Sequence, residues 1–171
     1  MSNIQFAKEF PAWNGITPSI PVILLQSNTA STTGDAETIT ITGSQITVPK
    51  GHFSPGTTFR YTFYGSRTGT AGAATIQIDL NGTTVSTIAI PTNTAVDWMA
   101  QITISEHTNF KNQNVSELVF ASATVLSAQD IATGTVDVSG DTVMKGQMVL
   151  ANASDSVTCN YVLLEAWKVD E

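Results

Sequence analysis

The sequence predicts an all-β protein, a single antiparallel β-sandwich of jelly-roll type over residues 21–171 preceded by an extended N-terminal arm over residues 1–20. Three observations carry this expectation. Apolar and polar residues alternate with period two through 57–65, 75–90 and 96–105, as in strands with one buried face. Asn81-Gly82 sits between two such runs and suits a type I′ hairpin turn, whose two central residues both need positive φ. No stretch of about ten or more residues repeats its apolar side chains at helical spacing.

Taken in order, residues 1–20 fit no strand or helix period. Phe6, Phe10, Trp13, Ile16 and Ile20 want burial, while Pro11, Pro18 and the following Pro21 favour an extended chain without ladder donors. These five apolar residues are the candidate partner-binding set, either wrapping their own domain or docking on a neighbouring subunit. Val22–Gln26 reads as a first core strand and 28–38 as a polar loop. Ile39 and Ile41, then Ile46 and Val48, flank Gly43-Ser44 and read as a compact hairpin. After the Ser54-Pro55-Gly56 turn, Phe59, Tyr61 and Phe63 alternate with Arg60, Thr62 and Tyr64. Residues 66–74 read as a mobile connection without the Gly-Lys-Ser/Thr ending of a phosphate loop.

The 75–90 hairpin and the run Trp98, Ala100, Ile102, Ile104 are expected to share one central sheet with the aromatic strand. A polar loop at 107–114 precedes a strand over 118–128 and a weaker one over 130–138. Ser139-Gly140-Asp141 turns the chain into a strand over 142–151. The closing run 156–169 is apolar enough to be central or covered. Its period places Val157, Cys159, Tyr161, Leu163 and Trp167 on one face. Glu165 shares that face, and Arg60 or Lys168 is the expected partner of a carboxylate among apolar neighbours.

Composition narrows function mainly by exclusion. Charged residues make up 12% of the chain, about half the usual share, and the net charge is −7. An acidic chain with seven scattered Lys and Arg repels a phosphate backbone, so nucleic acid is not an expected partner. No apolar run approaches the ~20 residues that span a bilayer, and the N-terminus lacks signal-peptide character, so a soluble chain made in the cytoplasm and no membrane partner are expected. His52 and His107 have no neighbours at metal-ligand spacing. Cys159 reads as a small core residue, and no cofactor is expected. Asp130, Asp137 and Asp141 lack the spacing of a calcium loop. Asp79, Asp97, Glu106, Glu117 and Glu165 are the carboxylates available for glycosidase-like pairing, which the sequence cannot arrange in space. Trp98 and Trp167 fall on inferred core faces, leaving Trp13 as the tryptophan free to stack on a sugar.

Two longer stretches carry a family likeness. Gly56-Thr57-Thr58-Phe59-Arg60-Tyr61-Thr62-Phe63-Tyr64-Gly65 followed by Ala74-Thr75-Ile76-Gln77-Ile78-Asp79-Leu80-Asn81-Gly82-Thr83-Thr84 resembles jelly-roll domains of tailed-bacteriophage virion proteins. Trp98-Met99-Ala100-Gln101-Ile102 and Tyr161-Val162-Leu163-Leu164-Glu165-Ala166 extend the likeness across about residues 56–168. The resemblance implies a non-enzymatic virion structural protein, a capsid decoration or head-fibre protein. It would be a homotrimer, bound to the major capsid or another virion protein through the arm. The alternative is a receptor-binding or lectin-like module whose loops, 66–74 and 107–114, contact host-surface glycans.

Overall fold

The computed structural model describes residues 21–34, 37–69, 72–91, 95–106, 110–111, 113–121, 124–128 and 132–168. The arm residues Phe6, Phe10, Trp13, Ile16 and Ile20 lie outside the described residues. The described chain forms thirteen strands in two antiparallel sheets, a jelly-roll-like sandwich. The first strands are β1 (Val22–Ser27), β2 (Ser31–Thr33), β3 (Thr38–Thr40), β4 (Ile46–Val48) and β5 (Thr57–Thr68). Next come β6 (Ala74–Leu80), β7 (Thr83–Ile90), β8 (Ala95–Glu106) and β9 (Gln113–Ala121). The last are β10 (Thr124–Ala128), β11 (Ala132–Gly134), β12 (Thr142–Leu150) and β13 (Ser156–Lys168). The larger sheet runs β1-β13-β5-β8-β9-β10, with β2 also on β13 and β11 also on β9. The smaller runs β3-β12-β6-β7, with β4 also on β12.

The β6–β7 hairpin turns at Asn81-Gly82 with φ of 51° and 85°, the backbone that the dipeptide predicted. Three other expectations change. The aromatic strand and its two successors do not share one sheet: β5 pairs with β8 in the larger sheet, while β6 and β7 belong to the smaller. Alternation fixes which side of a strand is buried, and says nothing of which sheet the strand joins. The 118–128 run is folded on itself, β9 pairing with β10 from Thr124 opposite Ala121.

The third change is at Gly43-Ser44. There β3 and β4 do not pair with each other but lie end to end along β12, opposite Val149–Gln147 and Met144–Thr142. The missing rung between them is filled by a side chain. The Gly146 amide donates to the Ser44 hydroxyl at 3.0 Å, and that hydroxyl lies 2.7 Å from the Ile41 carbonyl and 2.9 Å from that of Gly146. Tyr61 then donates its phenol to the Ser44 carbonyl at 2.8 Å. Every polar group in this buried node has a partner, which is the condition for placing it inside.

The core fills the space between the sheets. Phe59, Tyr61 and Phe63 point inward from β5, Trp98, Ala100, Ile102 and Ile104 from β8, and Ile76, Ile78 and Leu80 from β6, all buried. Two glycines set how closely side chains approach the backbone. A Cβ at Gly65 would collide with the Thr158 carbonyl oxygen and the Trp98 ring, so the glycine that ends the aromatic run makes room for a tryptophan. At Gly146 a Cβ would stand 2.7 Å from the Phe63 ring.

One end of the sandwich is closed by a buried ion pair. Arg67, on β5, donates to Asp155 at 2.7 Å, and neither side chain is exposed. Arg67 also donates to the carbonyls of Ile90 at 2.8 Å, Pro91 at 3.2 Å and Gly72. Asp155 accepts from the Gly72 amide at 3.1 Å. The expected mobile connection is thus gripped at Gly72 on both its amide and its carbonyl.

Candidate functional site

The described residues offer one broad surface whose chemistry is not that of a solvated sheet face: the outer side of the larger sheet. It exists because β13 changes phase. Between Cys159 and Tyr161 the register with β5 slips by one residue at Asn160, a β-bulge. Before the bulge Val157 and Cys159 face the core; after it Val162, Leu164 and Ala166 do. Tyr161, Leu163, Glu165 and Trp167 are thereby turned outward, half-buried among their neighbours. The expectation that Trp167 and Leu163 face the core is corrected by this one extra residue, since a slip of one exchanges the two faces of a strand.

Four cross-strand rows build the surface. Tyr161, Tyr64, Met99 and Phe120 stand side by side across β13, β5, β8 and β9. The next row holds Gln26, Leu163, Thr62, Gln101 and Leu118, and the next Ile23, Glu165, Arg60, Thr103 and Ser116. The last holds Trp167, Thr58, Ser105 and Asn114. Five strands at ~4.8 Å spacing and six residues at ~3.3 Å give a platform of roughly 19 by 20 Å, about 400 Å².

Rings and polar groups alternate along it. Tyr64, 45% exposed, and Tyr161 meet with centroids 5.7 Å apart and planes tilted by 59°. Burial, with Tyr64 and Glu165 adding, raises the Tyr161 pKa and keeps its phenol a neutral donor. At the centre Arg60 grips Glu165, donating from Nε at 3.0 Å and from Nη2 at 2.8 Å to the same carboxylate oxygen. The expected partnership of Glu165 with Arg60 is present. The guanidinium carbon also lies 5.2 Å from the centre of the Trp167 ring. Beside this pair Gln101, Thr103, Ser116, Glu117 and Leu118 line a shallow depression of about 150 Å³.

The remaining candidates fall elsewhere. Asp79 accepts from the Gly82 amide at 2.7 Å in the hairpin turn. Glu106 is buried and accepts from Gln113 at 3.0 Å. Glu117 accepts from the Ser86 hydroxyl at 2.6 Å and the Thr87 amide at 3.2 Å, fastening β9 to the edge of β7. Asp97 is exposed near the start of β8. Asp79, Glu106 and Glu117 are thus each engaged in holding the fold. Asp137 holds Ser139, whose hydroxyl and amide keep its carboxyl below the usual range, and Asp141 accepts from the Lys50 amide at 2.8 Å. Asp130 and His107 lie outside the described residues. Among the described residues no group of three or more His, Cys, Asp or Glu is placed to hold a metal ion. Cys159 is buried, and burial pushes its thiol up to about 12. Trp98 is in the core as expected.

No protein-family model matches the sequence, and no curated protein matches it. The fold is similar to that of several solved structures, in whole or in part. Peanut lectin in complex with a nine-residue peptide aligns at 8% identity over 89% of this chain and 100% of its own, with a TM-score of 0.45. The CBM2 module of the evolved Dit of Lactobacillus casei BL23 phage J-1 aligns at 11% identity over 74% and 70%, with a TM-score of 0.32. Dimeric latent PorU from Porphyromonas gingivalis aligns at 7% identity over 81% of this chain, which spans only 10% of PorU, with a TM-score of 0.36. Identities and scores this low carry no information about ligand or activity.

Proposed function

We propose that this protein is a non-catalytic recognition module that holds a glycan against the outer face of its larger sheet. The observation that supports this reading is the platform itself, with paired tyrosine rings beside hydrogen-bonding groups on one sheet face. A sugar ring has an apolar C–H face that stacks on an aromatic ring and an equator of hydroxyls that need donors and acceptors, and both kinds of partner stand together here. Size argues the same way. About 400 Å² is the scale of a functional patch on a monomer and half of the ~800 Å² per partner that a stable protein interface needs. The reading moves recognition from the loops to the sheet. Affinity electrophoresis against a panel of neutral and acidic polysaccharides tests it. Binding by the native chain, weakened about tenfold or more when Tyr64→Ala and Tyr161→Ala are combined, is expected from two lost stacking contacts. A native chain retarded by none of the polymers refutes it.

A second reading is a virion structural protein of a tailed phage, a capsid decoration or head-fibre subunit attached through residues 1–20. One observation favours it: Ile23, 51% exposed, together with Met99, Leu118 and Phe120 makes part of the platform apolar in the way of a protein contact. Light scattering tests it by mass. A trimer near three times 18.1 kDa favours a fibre, and a monomer that also fails to bind phage particles removes the reading.

A further inference from the structure

We infer that the depression between β8 and β9 is a subsite for an acetamido group, so that the platform takes glycans containing N-acetylhexosamine; the inference rests on the glycan reading above. The depression follows from the side chains that frame it. Thr103 and Ser116 face each other across the two strands and are short, while the next pair on the same face, Gln101 and Leu118, is long. Among the described residues β10 ends opposite Leu118 and β11 begins opposite Val115, so Ser116 and Glu117 have no cross-strand neighbour on that side. The surface drops there into about 150 Å³ lined by Gln101, Thr103, Ser116, Glu117 and Leu118.

An acetamido group brings an N–H donor, a carbonyl acceptor and a methyl, and the lining answers each. The Thr103 and Ser116 hydroxyls can donate or accept, and among the described residues neither is spent on a side-chain hydrogen bond. Gln101 gives one amide hydrogen to Thr62 at 3.4 Å and keeps its carbonyl oxygen and second amide hydrogen. Leu118, half-buried, is the apolar wall for the methyl. Other substituents match less of this lining. A bare hydroxyl leaves Leu118 facing water, and an ammonium does the same. A carboxylate meets the charge of Glu117, fixed there by Ser86 and Thr87, on a chain of net charge −7. The depression is also placed to be reached. Met99 and Phe120 precede Gln101 and Leu118 by two residues, roughly 7 Å along the strands, and Tyr64 and Tyr161 continue their row. A sugar beside Met99 and Phe120 can extend its substituent into the depression while its neighbour rests on the tyrosine pair.

The test compares full-length native chain, the double variant Thr103→Val with Ser116→Ala, and Ser116→Met by affinity electrophoresis through glycol chitin, glycol chitosan and hydroxyethyl cellulose. These soluble polymers share a backbone linkage and carry acetamido, amino and hydroxyl groups, respectively, on the second carbon of each sugar. High salt screens the general attraction of an acidic chain to the amino polymer. Native chain is expected to bind glycol chitin about tenfold or more tighter than the other two. The double variant should lose about tenfold on glycol chitin, because the acetamido group is left without its hydroxyl partners. Ser116→Met fills the depression and should erase the preference, and neither variant should change binding to hydroxyethyl cellulose. A native chain that binds the three alike, or favours either acetyl-free polymer, overturns the subsite and leaves the glycan reading standing. So do variants that keep the native preference. Where a polymer of the wider panel retards the chain instead, competition by free N-acetylglucosamine or N-acetylgalactosamine at about tenfold lower concentration than glucose or galactose supports the subsite, and equal competition overturns it. A native chain that binds no polysaccharide overturns both readings. Melting temperatures of the variants separate lost contacts from lost fold.

Discussion

Replacing Asp155 by Asn should be among the most destabilising single changes in the protein. The substitution keeps size and shape and removes only the charge, leaving the Arg67 guanidinium fully buried without a counter-ion. Three backbone carbonyls still surround it, from Ile90, Pro91 and Gly72, so its hydrogen bonds survive in part. Breaking a buried pair by removing one partner costs about 3–5 kcal/mol, a large fraction of the ~5–15 kcal/mol that holds a domain folded. For a chain of this length each kcal/mol moves the melting temperature by about 2–4 °C, so a fall of roughly 6–20 °C is expected. Urea unfolding followed by tryptophan fluorescence measures it. The double change Arg67→Met with Asp155→Leu, which removes both charges, should recover part of the loss, because no unpaired charge remains while the Gly72 amide and the carbonyls of Ile90, Pro91 and Gly72 lose their partners. A loss below ~1 kcal/mol for Asp155→Asn alone, or a double variant no better than the single, would refute this account of the clip.

Stability should also fall at high pH. The folded state holds the Cys159 thiol neutral up to about 12, whereas the unfolded chain ionises it near 9.0. Burial pushes the Tyr61 phenol up as well. Such groups stabilise fully below their unfolded values and lose that contribution as pH rises, at about 1.4 kcal/mol per pH unit per group. Urea midpoints should therefore drop steadily from pH 9 to 11, and a flat profile there would count against the burial of these groups. Alkylation at pH 8 should leave native Cys159 untouched and label it only on unfolding; rapid labelling of folded protein contradicts its place in the core. Glu117→Ala strands the Ser86 hydroxyl and the Thr87 amide at the β7 edge, for a loss of about 1–3 kcal/mol in the midpoint and concentration-dependent assembly by light scattering. Gly65→Ala should lower the melting temperature more than Gly82→Ala in its open turn, since only the former meets a backbone oxygen and a ring.

Much of the architecture was legible in local pattern. Asn81-Gly82 announced its hairpin because few dipeptides accept two positive φ angles. The aromatic alternation in β5 announced its buried face, and the sparse charge announced a surface of hydroxyls. What local pattern cannot carry is the identity of a distant neighbour. Gly43-Ser44 looked like a turn between two partners, yet both halves found β12 instead, about a hundred residues away. Arg67 and Asp155 stand 88 positions apart, and neither is unusual in its own segment. The platform escaped for a narrower reason: a single unpaired residue, Asn160, exchanged the faces of the strand after it. One signal of that exchange was present. A carboxylate is costly to bury, so Glu165 on the same parity as Leu163 and Trp167 meant that this parity met solvent. Given that, the outward rows follow from the spacing alone.

The bulge at Asn160 has a practical use. By separating the alternation of the last eight residues of β13 from that of the first four, it lets the outward positions vary without touching the buried ones. Positions 161, 163 and 165 on β13, 60, 62 and 64 on β5, and 99, 101 and 103 on β8 form a three-by-three grid anchored on the two longest pairings of the larger sheet. Randomising that grid would give a loop-free paratope carried on paired strands, on a scaffold with one buried cysteine and therefore suited to reducing hosts.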